Sequence, residues 1–180
     1  MKKVFQSIAV LVFLFTSCNY SPSKKQESVL YEKDGLTFQF PAHWKVEKDK
    51  PIDGVAKSRF ITIINHKIIR GQEFIIITAS DSTGTLKETL DNLIKQSEIS
   101  YISGNIEFGV LGEAKEFKIG SQKVLRQNFE TNQNNTSNRG IFSVFNSAGK
   151  TFSFTSMAEA TNIIAHTAIV DSVIKSLKIK

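Results

Sequence analysis

Only one cysteine, Cys18, occurs in 180 residues. A disulfide within the monomer is therefore excluded, and so is any cysteine-based zinc site. Histidines number three, His43, His66 and His166, and no two stand three or four residues apart. That spacing is what a helical or hairpin metal site needs, so neither metal nor cofactor is expected. Glycine-rich phosphate loops and a Gly-x-Ser-x-Gly elbow are both lacking, and no serine is marked by its neighbours as a nucleophile. No run of Lys or Arg exceeds two, whereas a nucleic-acid surface usually shows a dense basic patch. Prolines are few, at positions 22, 41 and 51, which leaves long stretches open to regular structure.

Charge says the same. The formal net charge is +6, from 23 basic and 17 acidic residues. Lys2 and Lys3 supply two of the 23, so loss of residues 1–17 leaves 21 against 17, or +4. A mildly basic, mixed surface follows, and no nucleic-acid partner is expected.

What the chain does have begins at its N-terminus. Met1, Lys2 and Lys3 form a basic start, and residues 4–15 are apolar apart from Gln6 and Ser7. The run is shorter than the roughly 20 residues a membrane-spanning helix takes. A basic start with a short apolar run is a secretory signal. Thr16 and Ser17 are small enough to let a peptidase reach the bond before Cys18. A thiolate can become a thioether to diacylglycerol, and two or three acyl chains anchor where one does not. With no disulfide or metal role to compete for it, Cys18 is the expected lipidation site. Phe15-Thr16-Ser17-Cys18 resembles the lipobox of bacterial lipoprotein signals. Asn19 stands where an aspartate would resemble an inner-membrane retention signal. The resemblance implies a periplasm-facing outer-membrane lipoprotein of a Gram-negative bacterium, acylated at Cys18.

Residues 18–28 read as the acylated cysteine and a polar, proline-containing tether. Residues 29–180 read as one domain, large enough for a core. Its 14 phenylalanines favour sheet. Leu36, Phe38 and Phe40 alternate with polar residues and end at Pro41, and Asp34-Gly35 before them is a turn signal. Phe74 to Ile77 is apolar enough for a central strand covered on both faces. Thr85 and Glu88 match a capping box, followed by a helical stripe of Leu86, Leu90, Leu93, Ile94 and Ser97. Strands are expected at 105–109, 113–119, 122–130, 140–145 and 151–155. Residues 131–138, mostly Asn, Thr and Ser, read as an exposed loop. A closing helix from about 161 to 176 carries Ile163, Thr167, Val170, Ile174 and Leu177 on its buried stripe. Strands, helix, strands, helix define an α+β class, an antiparallel sheet packed against helices.

Several residues have side chains capable of chemistry. Asp49 and Asp53 carry too few oxygens for a calcium loop. Glu113 and Glu116 are explained as well by an exposed strand edge as by a carboxylate pair. His43 sits where strand meets turn, His66 among basic residues, and His166 beside an apolar stripe. Phe108, Phe117, Phe129, Phe142, Phe145, Phe152 and Phe154 are core candidates, with some left to line a concave face.

Gly35 to Trp44, Gly-Leu-Thr-Phe-Gln-Phe-Pro-Ala-His-Trp, resembles the start of PsbP/Mog1-like domains. There an alternating strand runs into proline and then tryptophan. Thr151-Phe152-Ser153-Phe154-Thr155 and a final helix ending Ile174-Lys175-Ser176-Leu177 add to the resemblance. It implies an antiparallel sheet sandwiched by helices, in a family of small accessory and binding domains, and it supplies no catalytic residue. The expected function is a lipid-anchored, non-enzymatic envelope protein that binds a protein or envelope component. A small lipophilic-ligand carrier with an apolar cavity and an envelope hydrolase are the alternatives.

Overall fold

In the computed structural model, residues 27–52, 58–67, 73–81 and 84–180 are described. Ten strands and two α-helices follow in the order β1 (Ser28–Lys33), β2 (Leu36–Pro41), β3 (Trp44–Pro51), β4 (Arg59–Asn65), β5 (Phe74–Asp81), α1 (Leu86–Ser103), β6 (Glu107–Ile119), β7 (Gln122–Gln133), β8 (Thr136–Ser147), β9 (Lys150–Glu159), a 3-10 turn (Ala160–Asn162), α2 (Ile163–Ser176) and β10 (Lys178–Ile179).

They form two sheets, not the single one expected. The larger has seven strands in the order β3-β4-β5-β9-β8-β7-β6, and the smaller has three in the order β1-β2-β10. Every pairing is antiparallel. The small sheet exists because the chain turns tightly at Asp34-Gly35, with φ of 49° and 80°, and because residues after α2 return to β2 as β10. Two residues carry too weak a pattern to announce such a strand. Where β10 stops, Ser176 Oγ takes over the edge and accepts from the Gln39 amide at 2.9 Å.

The large sheet is the middle layer. One face meets the small sheet and α2 in a core of Phe38, Phe40, Trp44, Ile61, Ile75, Phe145, Phe152, Phe154, Val170 and Ile174 with their neighbours. The other face meets α1 through Leu90, Phe129, Phe142 and Val144. Strand alternation sorts β8 accordingly, with Ile141 and Phe145 toward α2 and Phe142 and Val144 toward α1. Of the phenylalanine candidates, Phe129, Phe142, Phe145, Phe152 and Phe154 are fully buried, Phe108 is partly so, and Phe117 is 45% exposed.

Local signals explain the helix ends. Thr85 Oγ1 accepts from the Glu88 amide at 3.2 Å, and Glu88 Oε2 accepts from the Thr85 amide at 2.9 Å. The capping box is thus complete. Thr85→Ala is expected to cost about 1 kcal/mol, read as a lowered urea midpoint; an unchanged midpoint would remove the cap from the helix's stability. In α2 the buried stripe is His166, Val170, Val173 and Ile174, with Leu177 just after it. Ile163 and Thr167, expected on that stripe, are only half-buried.

Other boundaries shift for physical reasons. Residues 131–138 are not a loop. Asn134 and Asn135 take φ of 49° and 63°, which Asn tolerates, and the ladder continues through Asn132↔Ser137 and Gln133↔Thr136. The strands expected at 105–109 and 113–119 are one strand, β6, with an irregularity between Leu111 and Lys115 at Gly112. β3 extends to Pro51, and proline is tolerated there because β3 is an edge strand. β5 is central, but only Ile75, Ile77 and Ala79 on one face are fully buried. Its other face is half-buried, since α1 packs chiefly on β6–β9.

Candidate functional site

Among the described residues, a concavity is lined jointly by the two sheets. Its floor combines Leu36 and Ile179 from the small sheet with Ala79 and Phe152 from the large one. Lys33, Asp34, Pro51, Ser58, Arg59, Lys150 and Lys180 complete the lining, around about 510 Å³. The volume falls in the range of small-ligand sites.

Arg59 organises the rim. It opens β4, opposite Pro51 and Ala79, and its side chain is 11% exposed. Its Nε donates to Asp49 Oδ1 at 2.5 Å and to the Tyr31 hydroxyl at 3.0 Å, and its Nη1 donates to Asp34. Lys33 Nζ reaches the other Asp49 oxygen at 3.0 Å. Tyr31, held by stacking on Phe38 at 4.5 Å, thus links the small sheet to the large one through a guanidinium. Burial opposes the Asp49 charge, but hydrogen bonds from Arg59 and Lys33 outweigh it and keep the carboxyl below its usual range. Those bonds, Asp49 first, raise Arg59 further, while burial raises the Tyr31 phenol. Two outer pairs extend the rim: Lys180 with Glu32 at 2.7 Å and Lys150 with Asp81 at 2.9 Å.

Charges elsewhere hold structure. Arg126 on β7 is buried, donates to Ser143 at 3.0 Å and to Asp171 of α2 at 2.5 Å, and lies 5.3 Å over the Phe117 ring. It fastens the last helix to the sheet. Asn65 donates to Glu73 at 2.8 Å in a buried pair.

The sequence candidates are scattered. Cys18 and Asp53 lie outside the described residues. Asp49 belongs to the rim as an ion-pair partner. Glu116, on an edge strand, pairs with Lys123 at 2.9 Å, and Glu113 is exposed there. His43 accepts from the Trp44 indole at 3.1 Å, with its pKa lowered by burial and by Lys67. His66 contacts Glu47 at 2.5 Å. His166 is buried against Trp44. None of these contacts joins a histidine to a serine. Among the described residues, no group of three or more His, Cys, Asp or Glu side chains is placed to hold a metal ion. No helix among them is long and apolar enough to cross a membrane.

Arg59 and Arg126 were not singled out from sequence. The hydrogen-bond partners of Arg59 stand 10 to 28 residues away and those of Arg126 stand 17 and 45 away, so no local spacing marks them. One sign was available: Arg126 follows Val124 at a two-residue step, the inward register of its strand.

The architecture is an α+β sandwich of the PsbP/Mog1-like kind. Cyanobacterial PsbP (CyanoP) from Synechocystis sp. PCC 6803 superposes with a TM-score of 0.59 over 92% of this chain and 99% of that one, at 15% identity. A Bacteroides thetaiotaomicron VPI-5482 protein matches at 0.53 and 12% identity, over 86% of this chain and 48% of its own. LpqN, described as involved in cell envelope biogenesis of Mycobacterium tuberculosis, matches at 0.50 and 10% identity, over 87% and 91%. No protein-family model and no curated protein matches the sequence. At these identities the likeness establishes the fold and leaves function to the residues.

Proposed function

We propose that this protein is a lipid-anchored, non-enzymatic binding domain of the bacterial envelope, tethered through Cys18 and receiving its partner at the cleft between the two sheets. The observation that carries the reading is the cleft itself: an apolar floor supplied by both sheets under a rim of basic side chains, of which Arg59 and Lys33 are held by Asp49. Such a rim binds and orients; the histidines that would be needed for acid–base work lie in other contacts. The signal-like start, Cys18 and the polar tether that follows support attachment to a membrane, on the periplasmic side of the outer membrane. The description of LpqN as an envelope-biogenesis protein supports an envelope setting.

The anchor is tested by mass analysis of the mature N-terminus. Expected is a diacylglyceryl-modified, acylated Cys18 as first residue. Cys18→Ser is expected to lose the lipid and move the protein out of the membrane fraction. Unchanged membrane retention of the variant would refute the anchor. The binding reading is tested by placing a photo-crosslinking amino acid at Lys33 in the full chain, in intact cells. A discrete adduct is expected, absent when the crosslinker is at Ile164 on the outer side of α2, where the side chain is 85% exposed. Equal, diffuse adducts from both sites would overturn it.

A further inference from the structure

Resting on that reading, we infer that the cleft between the two sheets takes an anionic amphiphile: one acyl chain laid on the apolar floor, its carboxylate or phosphate head at Arg59, Lys33 and Lys180. The floor and the rim ask for different things, and one such molecule satisfies both. Leu36, Ile179, Ala79 and Phe152 offer carbon and little to hydrogen-bond, so an inorganic anion alone would leave them wet. Lys33, Arg59 and Lys180 in the lining make stronger, charge-assisted hydrogen bonds to an anionic head than to a neutral one.

The rim cations have acidic partners, and the geometry of those pairs favours exchange. Asp49 is 18% exposed and locked under Arg59; it fixes the guanidinium in place and is not displaced. Asp34 and Glu32 are different, at 71% and 53% exposed. Exposed pairs of this kind contribute little, so an incoming oxyanion replaces them at small cost. Among the described residues, nothing accepts from Arg59 Nη2, which leaves one arm of the guanidinium for the head group. A planar, fixed guanidinium is well suited to a carboxylate or phosphate. The size adds selectivity: a cleft of about 510 Å³ is too small for a folded partner and large enough for a bent alkyl chain.

The test uses the full chain in isolated envelope membranes. A diazirine-bearing dodecanoate is photo-activated and its sites are mapped by mass spectrometry. Labelling is expected on the peptides holding Phe152 and Ile179. Excess dodecanoate or dodecyl phosphate is expected to suppress it, and whichever suppresses it at lower concentration identifies the head group. Dodecanol and inorganic phosphate are expected to leave it in place. Arg59→Gln is expected to lower labelling by about tenfold or more, the worth of a hydrogen bond to a charged group. Because Arg59 also ties the sheets together, Lys33→Gln with Lys180→Gln, at side chains 50% and 66% exposed, is expected to give the same loss with the guanidinium left in place. Equal suppression by dodecanol, or labelling indifferent to both sets of charge changes, overturns the inference. A single protein adduct from the crosslinker at Lys33 with no amphiphile labelling overturns it too, and leaves the binding-domain reading standing. Silence in both experiments overturns both.

Discussion

Replacing Gly140 by alanine is expected to cost the domain about 3 kcal/mol or more, near the upper end for an overpacked core. Gly140 lies on β8, opposite Phe129 on β7 and Met157 on β9. A methyl there would stand 2.2 Å from Phe129 Cζ and 2.4 Å from the Ser156 carbonyl oxygen. Neither neighbour can retreat. The Phe129 ring is fully buried and stacked on Phe142 at 4.4 Å, and the carbonyl is backbone in the adjacent strand. The glycine is therefore required by close approach, with no left-handed backbone involved. Urea unfolding of Gly140→Ala beside Gly109→Ala makes the comparison. A methyl at Gly109 meets nothing within 4 Å, so that variant is expected to unfold at the wild-type midpoint. Gly140→Ala with Phe129→Leu is expected to recover part of the loss, since the carbonyl contact persists. A Gly140→Ala midpoint equal to wild type would show that the phenylalanine layer under α1 is looser than its stacking geometry implies.

That layer also marks where sequence reasoning works and where it stops. Period-two and period-3.6 patterns, read locally, identified the alternating strand Leu36–Pro41, the capping box at Thr85 and the closing helix. They identify which face of an element is apolar, and they say nothing of which element covers it. Hence the division of the phenylalanines into two cores, one under α1 and one under α2, was not legible. Nor was the separate three-stranded sheet, whose existence depends on β10 pairing with Leu36 and Thr37 more than 140 residues earlier in the chain. The asparagine-rich turn failed for another reason. Polar composition indicates exposure, and residues 131–138 are largely exposed; a hairpin tip can be exposed and still fully hydrogen-bonded.

The candidate site follows the same logic. In the sequence Asp49 reads as a poor calcium ligand and Asp34 as a turn residue, and nothing marks Lys33. Their meeting at Arg59 is a product of tertiary structure alone. The strand alternation that turns Tyr31 inward also points Lys33 along the same face of β1, so the small sheet delivers a hydroxyl to Arg59 and an ammonium to Asp49 together. The cleft is lined by residues of both sheets, a relation no single segment encodes.

His166 is expected to make the domain acid-labile well above the range in which most carboxylates titrate. Its ring is 1% exposed and stacks on Trp44 with centroids 5.7 Å apart. Neither ring nitrogen has a hydrogen-bond partner. Burial pushes its pKa down to about 4, because an imidazolium there would be charged and unsolvated. In the unfolded chain the same group titrates near 6.5. Between those values the unfolded state binds a proton that the folded state refuses, so stability falls as pH falls. The contribution is fully present above about pH 6.5, is lost progressively toward about pH 4, and amounts to about 3 kcal/mol in all. Below that, this group adds no further slope. His166→Phe keeps a ring against Trp44 and removes both the orphan donor and the titration. The variant is expected to be at least as stable as wild type at pH 7.5 and clearly more stable at pH 4.5, in urea midpoints measured across that interval. Asp49 and Glu88, both with lowered pKa values, contribute acid lability to both proteins, so the difference between the two curves isolates the histidine. Parallel curves would mean that His166 accepts its proton in the folded state, and that the contact with Trp44 opens to water.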